Sequence, residues 1–315
     1  MKKTGTAYLP QRSRGIKLKK SLRNNWEFWL FVLPGMVVTF IFSYIPLYGI
    51  QIAFKQFSPR KGILGSVWVG FDHFERFFNS PNFSTTLSNT FILSLYSMVA
   101  SFPIPIILAL LLNSFRHKKY TKIIQTVTYA PYFISTVVMC GMLLLFLSPQ
   151  SGFINAFLKS LGISPINFMA ERGLWRHLYV WSGIWQGTGW NSVIYFAALA
   201  SISPELHEAA VVDGATKFQR ILYIDLPSII PTATILLIMN AGGILSVGFE
   251  KAYLLQNDLN LNVSEIISTY VYKVGMLENN MSYSTAINLF NSAVNAVLLI
   301  IVNKTADKIS GNSLW

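Results

Sequence analysis

Residues that could do bond chemistry are few in this chain, and they do not gather. His73, His117, His177 and His207 are scattered, with no pair at metal-ligand spacing. Cys140 is the one cysteine, so no intrachain disulfide or CxxC site can form. No GxxxxGK[ST] phosphate loop occurs. Metal, haem and covalent catalysis have no support, and what remains is recognition chemistry. The stretch 204–231 reads PELHEAAVVDGATKFQRILYIDLPSIIP and sets Glu205, Glu208, Asp213 and Asp225 against Lys217 and Arg220. Ala209, Ala210 and Ala215 leave room for another surface to approach closely, and Glu208 offers a carboxylate to a partner arginine. The equally weighted structural reading is an amphipathic helix that only shapes its loop.

The elements that must position this stretch belong in a membrane. The chain has 315 residues, 52% apolar and 12% charged, with a mean hydropathy of +0.45. Charged side chains are absent from 28–54, 77–115, 123–158, 177–204, 226–249 and 279–303. A spanning helix needs ~20 mostly apolar residues, and one charge at its centre costs about 2.5–3.5 kcal/mol. Six spans are expected, near 27–50, 88–113, 123–147, 178–201, 229–249 and 284–303. A soluble protein with six such buried helices would need far more polar chain to cover them.

The net charge of +12 is informative through its placement. Lys2, Lys3, Arg12, Arg14, Lys17, Lys19, Lys20 and Arg23 precede the first span, and Arg116, Lys118, Lys119 and Lys122 follow the second. Basic loops favour the cytoplasmic side, so 1–26, 114–122, 202–228 and 304–315 are expected inside. The segments 51–87, 148–177 and 250–283 are then expected outside, in a multi-pass protein of the cell membrane. Orientation and contact with anionic lipid explain the basic tail, and nucleic acid is not needed as a partner. The first apolar run contains Pro34 and is too long for a signal peptide, so it reads as a retained span. The aromatic-rich 51–87 segment predicts a short interfacial helix near Phe71–Asn79. Pro34, Pro46, Pro103, Pro105 and Pro131 predict kinks.

The 204–228 segment reads as helix–turn–helix. Ser203 with Pro204 forms a start signal, and Glu205 puts a negative charge in the first turn. Gly214 ends the helix in a left-handed cap. Thr216 and Gln219 have capping-box spacing, and Phe218, Ile221 and Leu222 form an apolar stripe. Leu226 before Pro227 predicts a stop or kink.

The segment EAAVVDGATKFQRILYIDLP resembles the EAA loop of the transmembrane subunits of ATP-binding cassette importers. Its elements are Glu208-Ala209-Ala210, Asp213-Gly214-Ala215 and Leu226-Pro227, with Ile221 where the family often has Phe. Gly70-Phe71-Asp72-His73-Phe74, Tyr129-Ala130-Pro131 and Gly152-Phe153-Ile154-Asn155 resemble the carbohydrate-uptake branch. The ending, with Ser284-Thr285-Ala286 and Ser310-Gly311-Asn312-Ser313-Leu314-Trp315, resembles permeases for complex oligosaccharides of the polygalacturonan and rhamnogalacturonan type.

The resemblance implies an all-α integral membrane fold of six transmembrane helices, the type I importer permease fold, with a cytoplasmic EAA coupling helix. The implied divisions are a basic segment 1–26, a first span and external loop 27–87, a core 88–302 with the coupling loop at 204–227, and a tail 303–315. It implies a subunit without chemistry of its own. ATP and Mg would sit on two separate cytoplasmic ATPase subunits. A second, homologous permease would supply the other half of a pathway, and an extracellular solute-binding protein would deliver a carbohydrate. Glu205, Glu208, Ala209, Ala210, Asp213, Gly214, Ala215 and Phe218 would seat the ATPase. Sugars are held by aromatic faces and by amide or carboxylate groups, so Trp181, Trp185, Asn191, Tyr195, Asn240 and Glu250 are the candidates for the substrate path. The competing class, an ion-coupled transporter, predicts intramembrane acids, which the six charge-free stretches lack.

Overall fold

The computed structural model describes residues 26–115, 117–311 and 313–314. The expectations for the 1–25 tail, Arg116, Asn312 and Trp315 lie outside these residues. The first apolar stretch starts as helix α1 (Trp26–Thr39), widens into a π turn (Phe40–Tyr44) and tightens into a 3-10 segment (Ile45–Phe54). Pro46 sits at the start of that last segment, where its missing N–H costs least. A two-residue ribbon follows, with β1 (Lys55–Gln56) antiparallel to β2 (Val67–Trp68) around α2 (Gly62–Gly65).

The expected interfacial helix forms as α3 (Asp72–Phe78), but it is partly a core element. Phe77 is fully buried, with the rings of Phe83 and Phe290 at 5.0 and 5.8 Å. Next come α4 (Pro81–Ser101), capped by Ser80 accepting from the Asn82 N–H, and α5 (Pro103–Ser114). The two run on as one apolar stretch.

The third expected span is broken. Helix α6 (Lys118–Tyr129) gives way to a 3-10 turn (Ala130–Phe133) and then α7 (Thr136–Phe146), across a bend of 95°. Pro131 removes a backbone donor, Ile134 turns extended, and Ser135 caps the new helix by accepting from Val138 N–H. The basic segment expected as loop up to Lys122 is already helical from Lys118.

After α8 (Phe153–Ser160) comes α9 (Arg172–Ala200), which starts earlier than the expected 178. The hairpin follows as α10 (Pro204–Val212) and α11 (Lys217–Arg220), then a π turn (Ile221–Asp225) and α12 (Leu226–Gly242). Short helices α13 (Phe249–Leu254), α14 (Leu261–Ser264) and α15 (Ile267–Tyr272) and a π turn (Lys273–Leu277) lead into α16 (Met281–Ser310).

Among the described residues, four stretches are long and apolar enough to cross a membrane: Trp26–Phe54, Pro81–Ser114, Lys217–Gly242 and Met281–Lys308. The bent pair 119–146 makes a fifth. Helix α9 holds the place of the sixth. Its 29 residues suffice in length, but Gly, Trp, Gln and Asn dilute its hydropathy.

That dilution has a structural reason, because α9 is the central helix and packs on α4, α5, α6 and α12. Trp175, Tyr179, Val180 and Ile184 join Leu93, Met139 and Ala252 in one core, while Tyr195 and Leu199 join Ala109, Leu110 and Ile229 in another. Gly189 lets α9 touch α6, since a Cβ there would lie 2.0 Å from the Thr128 carbonyl oxygen. By contrast, the apolar window of Trp26–Phe54 has no buried residue. Its side chains are exposed, and its 3-10 end packs on α16.

Candidate functional site

Two constructions stand out. The first is the hairpin. Ser203 is extended with Pro204 at the first helical position, but its hydroxyl makes no cap bond, so the expected capping role is not taken. The chain leaves α10 through Gly214, at φ +79, where a side chain would be strained. The Ala215 N–H bonds back to Ala210 O at 2.8 Å, closing the turn. The Thr216–Gln219 capping box forms as the spacing predicts: Thr216 N–H donates to Gln219 Oε1 at 2.7 Å, and Gln219 N–H to Thr216 Oγ1 at 3.3 Å.

Pro227 neither stops nor breaks the second helix. The π turn before it inserts a residue, with Leu226 N–H bonding to Ile221 O. Proline then falls in the first turn of α12, where its missing donor is tolerated. Lys217–Gly242 is therefore a continuous rod, and the expected start of this span near 229 moves back by about three turns.

The hairpin presents what a partner would grip. Glu205, Glu208, Ala209, Asp213 and Gly214 are exposed, and Ala210 and Ala215 are half-buried. Apolar side chains stand out among them, with Val212 87% and Phe218 72% exposed. On its other side, α10 is fastened to the rod. His207 Nε2 lies 3.2 Å from Asp225 Oδ1, beside a polar cleft of about 470 Å³ that also takes in Asn113, Glu208 and Arg220.

The second construction is a cavity of about 450 Å³ between α4, α9, α12 and α13. Ser94, Ser97 and Ser101 line it from α4, Gln186 and Asn191 from α9, Asn240 from α12 and Lys251 from α13. A neighbouring cavity of about 280 Å³ is lined by Trp190, Tyr195 and Leu236 and shares Ser101, Asn191 and Asn240, so the two form one polar path. Asn240 is exposed to this path rather than locked into helix packing. Trp190 stacks on Tyr132 with ring centroids 4.8 Å apart.

Of the residues proposed from the sequence, the structure thus brings Asn191, Tyr195 and Asn240 together. Tyr195 is also a core residue, buried beside Leu199. Trp181 and Trp185 share a face, as their spacing implies, but that face lines a separate apolar groove of about 500 Å³ with Ile104, Ile107 and Val127. Glu250 is exposed and lines neither cavity. Its neighbour Lys251 turns inward instead. Sequence reading passed over Lys251, Gln186 and the serines of α4. The i, i+3, i+7 spacing of Ser94, Ser97 and Ser101 was the available signal.

Lys251 Nζ donates to the Tyr179 carbonyl at 2.5 Å and lies 4.6 Å from the Tyr179 ring centroid. Burial lowers its pKa to about 8, which leaves it mostly protonated at pH 7.

Comparison with known proteins gives this arrangement a lineage. The chain is 39% identical over 302 residues to Protein LplB of Bacillus subtilis (strain 168), covering 96% of this chain and 95% of that protein. It is 40% identical over 287 residues to the polygalacturonan/rhamnogalacturonan transport system permease protein YteP of the same organism, covering 91% and 89%. A chain of a bacterial alginate ABC transporter, solved in complex with an alginate pentasaccharide-bound periplasmic protein, superposes with a TM-score of 0.86 at 37% identity, covering 95% of this chain and all of that one. Residues 101–310 match the model for the binding-protein-dependent transport system inner membrane component, a region that takes in α9, the whole hairpin and the cavity-lining helices α12 and α13, and the chain belongs to that family.

Proposed function

We propose that this chain is the permease subunit of an ATP-driven oligosaccharide importer, forming half of the translocation path and coupling it to a separate ATPase. One observation carries the reading. An exposed, partly apolar hairpin follows α9 after the short turn 201–203 and runs directly into the continuous rod Lys217–Gly242, and α9 and the rod both border the polar path. Force applied at Phe218 reaches Asn240 along one continuous helix. A flexible linker would absorb the same displacement.

On this reading, Glu208 meets a basic residue of the ATPase, with Glu205 and Asp213 beside it. Ala209, Ala210 and Ala215 permit close seating, and Phe218 supplies apolar contact. Two ATPase subunits hold ATP and Mg. A second, homologous permease completes the path, and an extracellular solute-binding protein delivers the carbohydrate. The hairpin and both termini face the cytoplasm, in keeping with the basic residues of the 1–26 tail. Asn191, Tyr195 and Asn240 contact the sugar in transit. The family relationship favours this reading over an ion-coupled carrier.

The test is co-purification of the tagged chain with its ATPase, followed by ATPase assay in proteoliposomes with binding protein and oligosaccharide. Ligand-stimulated hydrolysis is expected. Glu208→Ala should weaken ATPase retention without altering the thermal unfolding of the permease, because an exposed substitution changes stability by about 0.5 kcal/mol or less. Hydrolysis indifferent to binding protein and sugar would contradict the assignment.

A further inference from the structure

Between α12 and α13 the chain leaves helix at Gly243 and resumes it at Phe249. This break meets α16 at Asn295, well inside the charge-free run 279–303. Backbone outside a helix is costly at that depth unless protein or water satisfies it. Three N–H groups of the break find nearby carbonyls: Gly243 N–H donates to Asn240 O, Ile244 N–H to Ala241 O and Ser246 N–H to Gly243 O, at 3.2, 3.2 and 2.8 Å. Leu245 is 2% exposed, and its N–H goes instead to Asn295 Oδ1 at 3.0 Å. Asn295 Nδ2 then donates to Ser246 Oγ at 3.1 Å. One amide on a neighbouring helix thus fixes two consecutive residues of the break, using both of its ends.

The break is a wall of the path. Gly243, Ile244, Ser246, Val247 and Gly248 line the larger cavity, whereas Asn295 lines neither cavity. The break is also where the rod Lys217–Gly242 ends. A Cβ on Gly242 would lie 2.6 Å from Leu299 Cδ1, so the end of the rod packs directly on α16, one turn from Asn295. At the other end of the break, the Tyr179 hydroxyl donates to Gly248 O at 3.2 Å. We propose that Asn295 is a positioning residue of the translocation path: from outside the cavity it holds 243–248 in the shape that lines the sugar route, so that movement of the rod passes to the path wall instead of being lost in slack backbone. The proposal rests on the importer reading given above. An amide that served to join two helices would bond helix to helix. This one bonds a helix to a stretch that has no helix of its own.

The experiment attaches a nitroxide through Val247→Cys in a Cys140→Ala background, within the assembled complex in proteoliposomes. It compares wild-type Asn295 with Asn295→Leu, which keeps the branched shape and removes both bonds, and with Asn295→Asp, which keeps an acceptor for the Leu245 N–H. Asn295→Leu should give a more mobile spectrum. In the unlabelled complex it should lower the sugar moved per ATP by roughly fivefold or more, the worth of two hydrogen bonds, while the ATPase stays bound. Asn295→Asp should restore most of both. The sugar is the oligosaccharide that stimulates wild-type hydrolysis in the assay above. An unchanged nitroxide spectrum in Asn295→Leu overturns the proposal whether or not the importer reading holds. So does an equal loss in Asn295→Asp, or a fall in thermal stability with sugar per ATP unchanged, either of which would make Asn295 a packing residue. Wild-type hydrolysis indifferent to binding protein and sugar would overturn the importer reading instead, and with it the use of this wall for sugar.

Discussion

His207 Nε2 stands 3.2 Å from Asp225 Oδ1, joining the middle of α10 to the π turn at the base of α12. Asp225 is 3% exposed, and the groups that offset the burial of its carboxylate are His207, Arg220 and Asn113. The contact fastens α10 to the base of the rod. Removing His207 leaves a carboxylate in a buried site with less compensation. His207→Ala should therefore lower the thermal stability of the permease by about 1–3 kcal/mol and reduce the sugar moved per ATP. Measuring unfolding and the transport-to-hydrolysis ratio on the same preparation checks both, and an unchanged ratio would remove the fastening from the coupling route.

Gly214 tests the turn itself. A Cβ there meets nothing within 4 Å, so the only penalty for a side chain is the backbone at φ +79. Gly214→Val should cost about 1–2 kcal/mol in the hairpin and uncouple ATP hydrolysis from uptake. Gly214→Asn, which tolerates left-handed backbone, should uncouple less. Transport per ATP across the three proteins gives the order, and equal uptake in all of them would mean that the turn need not be rigid.

Gly189 makes the opposite case, since its backbone is ordinary and its surroundings are not. A methyl group at this position would press on Thr128 O and C at 2.0 and 2.4 Å, and both atoms are backbone. Gly189→Ala should force α9 and α6 apart, at a cost of about 1–3 kcal/mol or more. A thermal unfolding curve that superposes on the wild type would show that the helices do not meet there.

The hairpin was legible because its signals are local. A glycine at a left-handed turn and a Thr-x-x-Gln box act over four residues, and both formed as the spacing implied. The stop read at Pro227 did not form, because proline reads as a stop unless an inserted residue precedes it, and a π turn has no sequence signature of its own. The 95° break after Phe133 was announced by Pro131 but hidden inside a charge-free run.

At the cavity, amides on facing helices were visible as polar exceptions in apolar sequence, hence Asn191 and Asn240. Trp181 and Trp185 carried the same chemical promise, but helical phase turned them to another face. Lys251 could not be found, because it sits beside Glu250 in a segment read as external loop. Only the packing of α13 against α7 and α9 decides which of the two charges turns inward.

The central claim is that a separate ATPase seats on the hairpin, and Val212 reports on it most directly. It is the side chain left most open there, and Cys140 is the sole cysteine to remove beforehand. In a Cys140→Ala background, Val212→Cys should crosslink to the ATPase within the assembled complex, with a yield that changes on adding ATP. It should also be shielded from membrane-impermeant thiol reagents applied from outside the cell. A residue labelled from outside, or one that never crosslinks to a nucleotide-hydrolysing neighbour, would contradict the account.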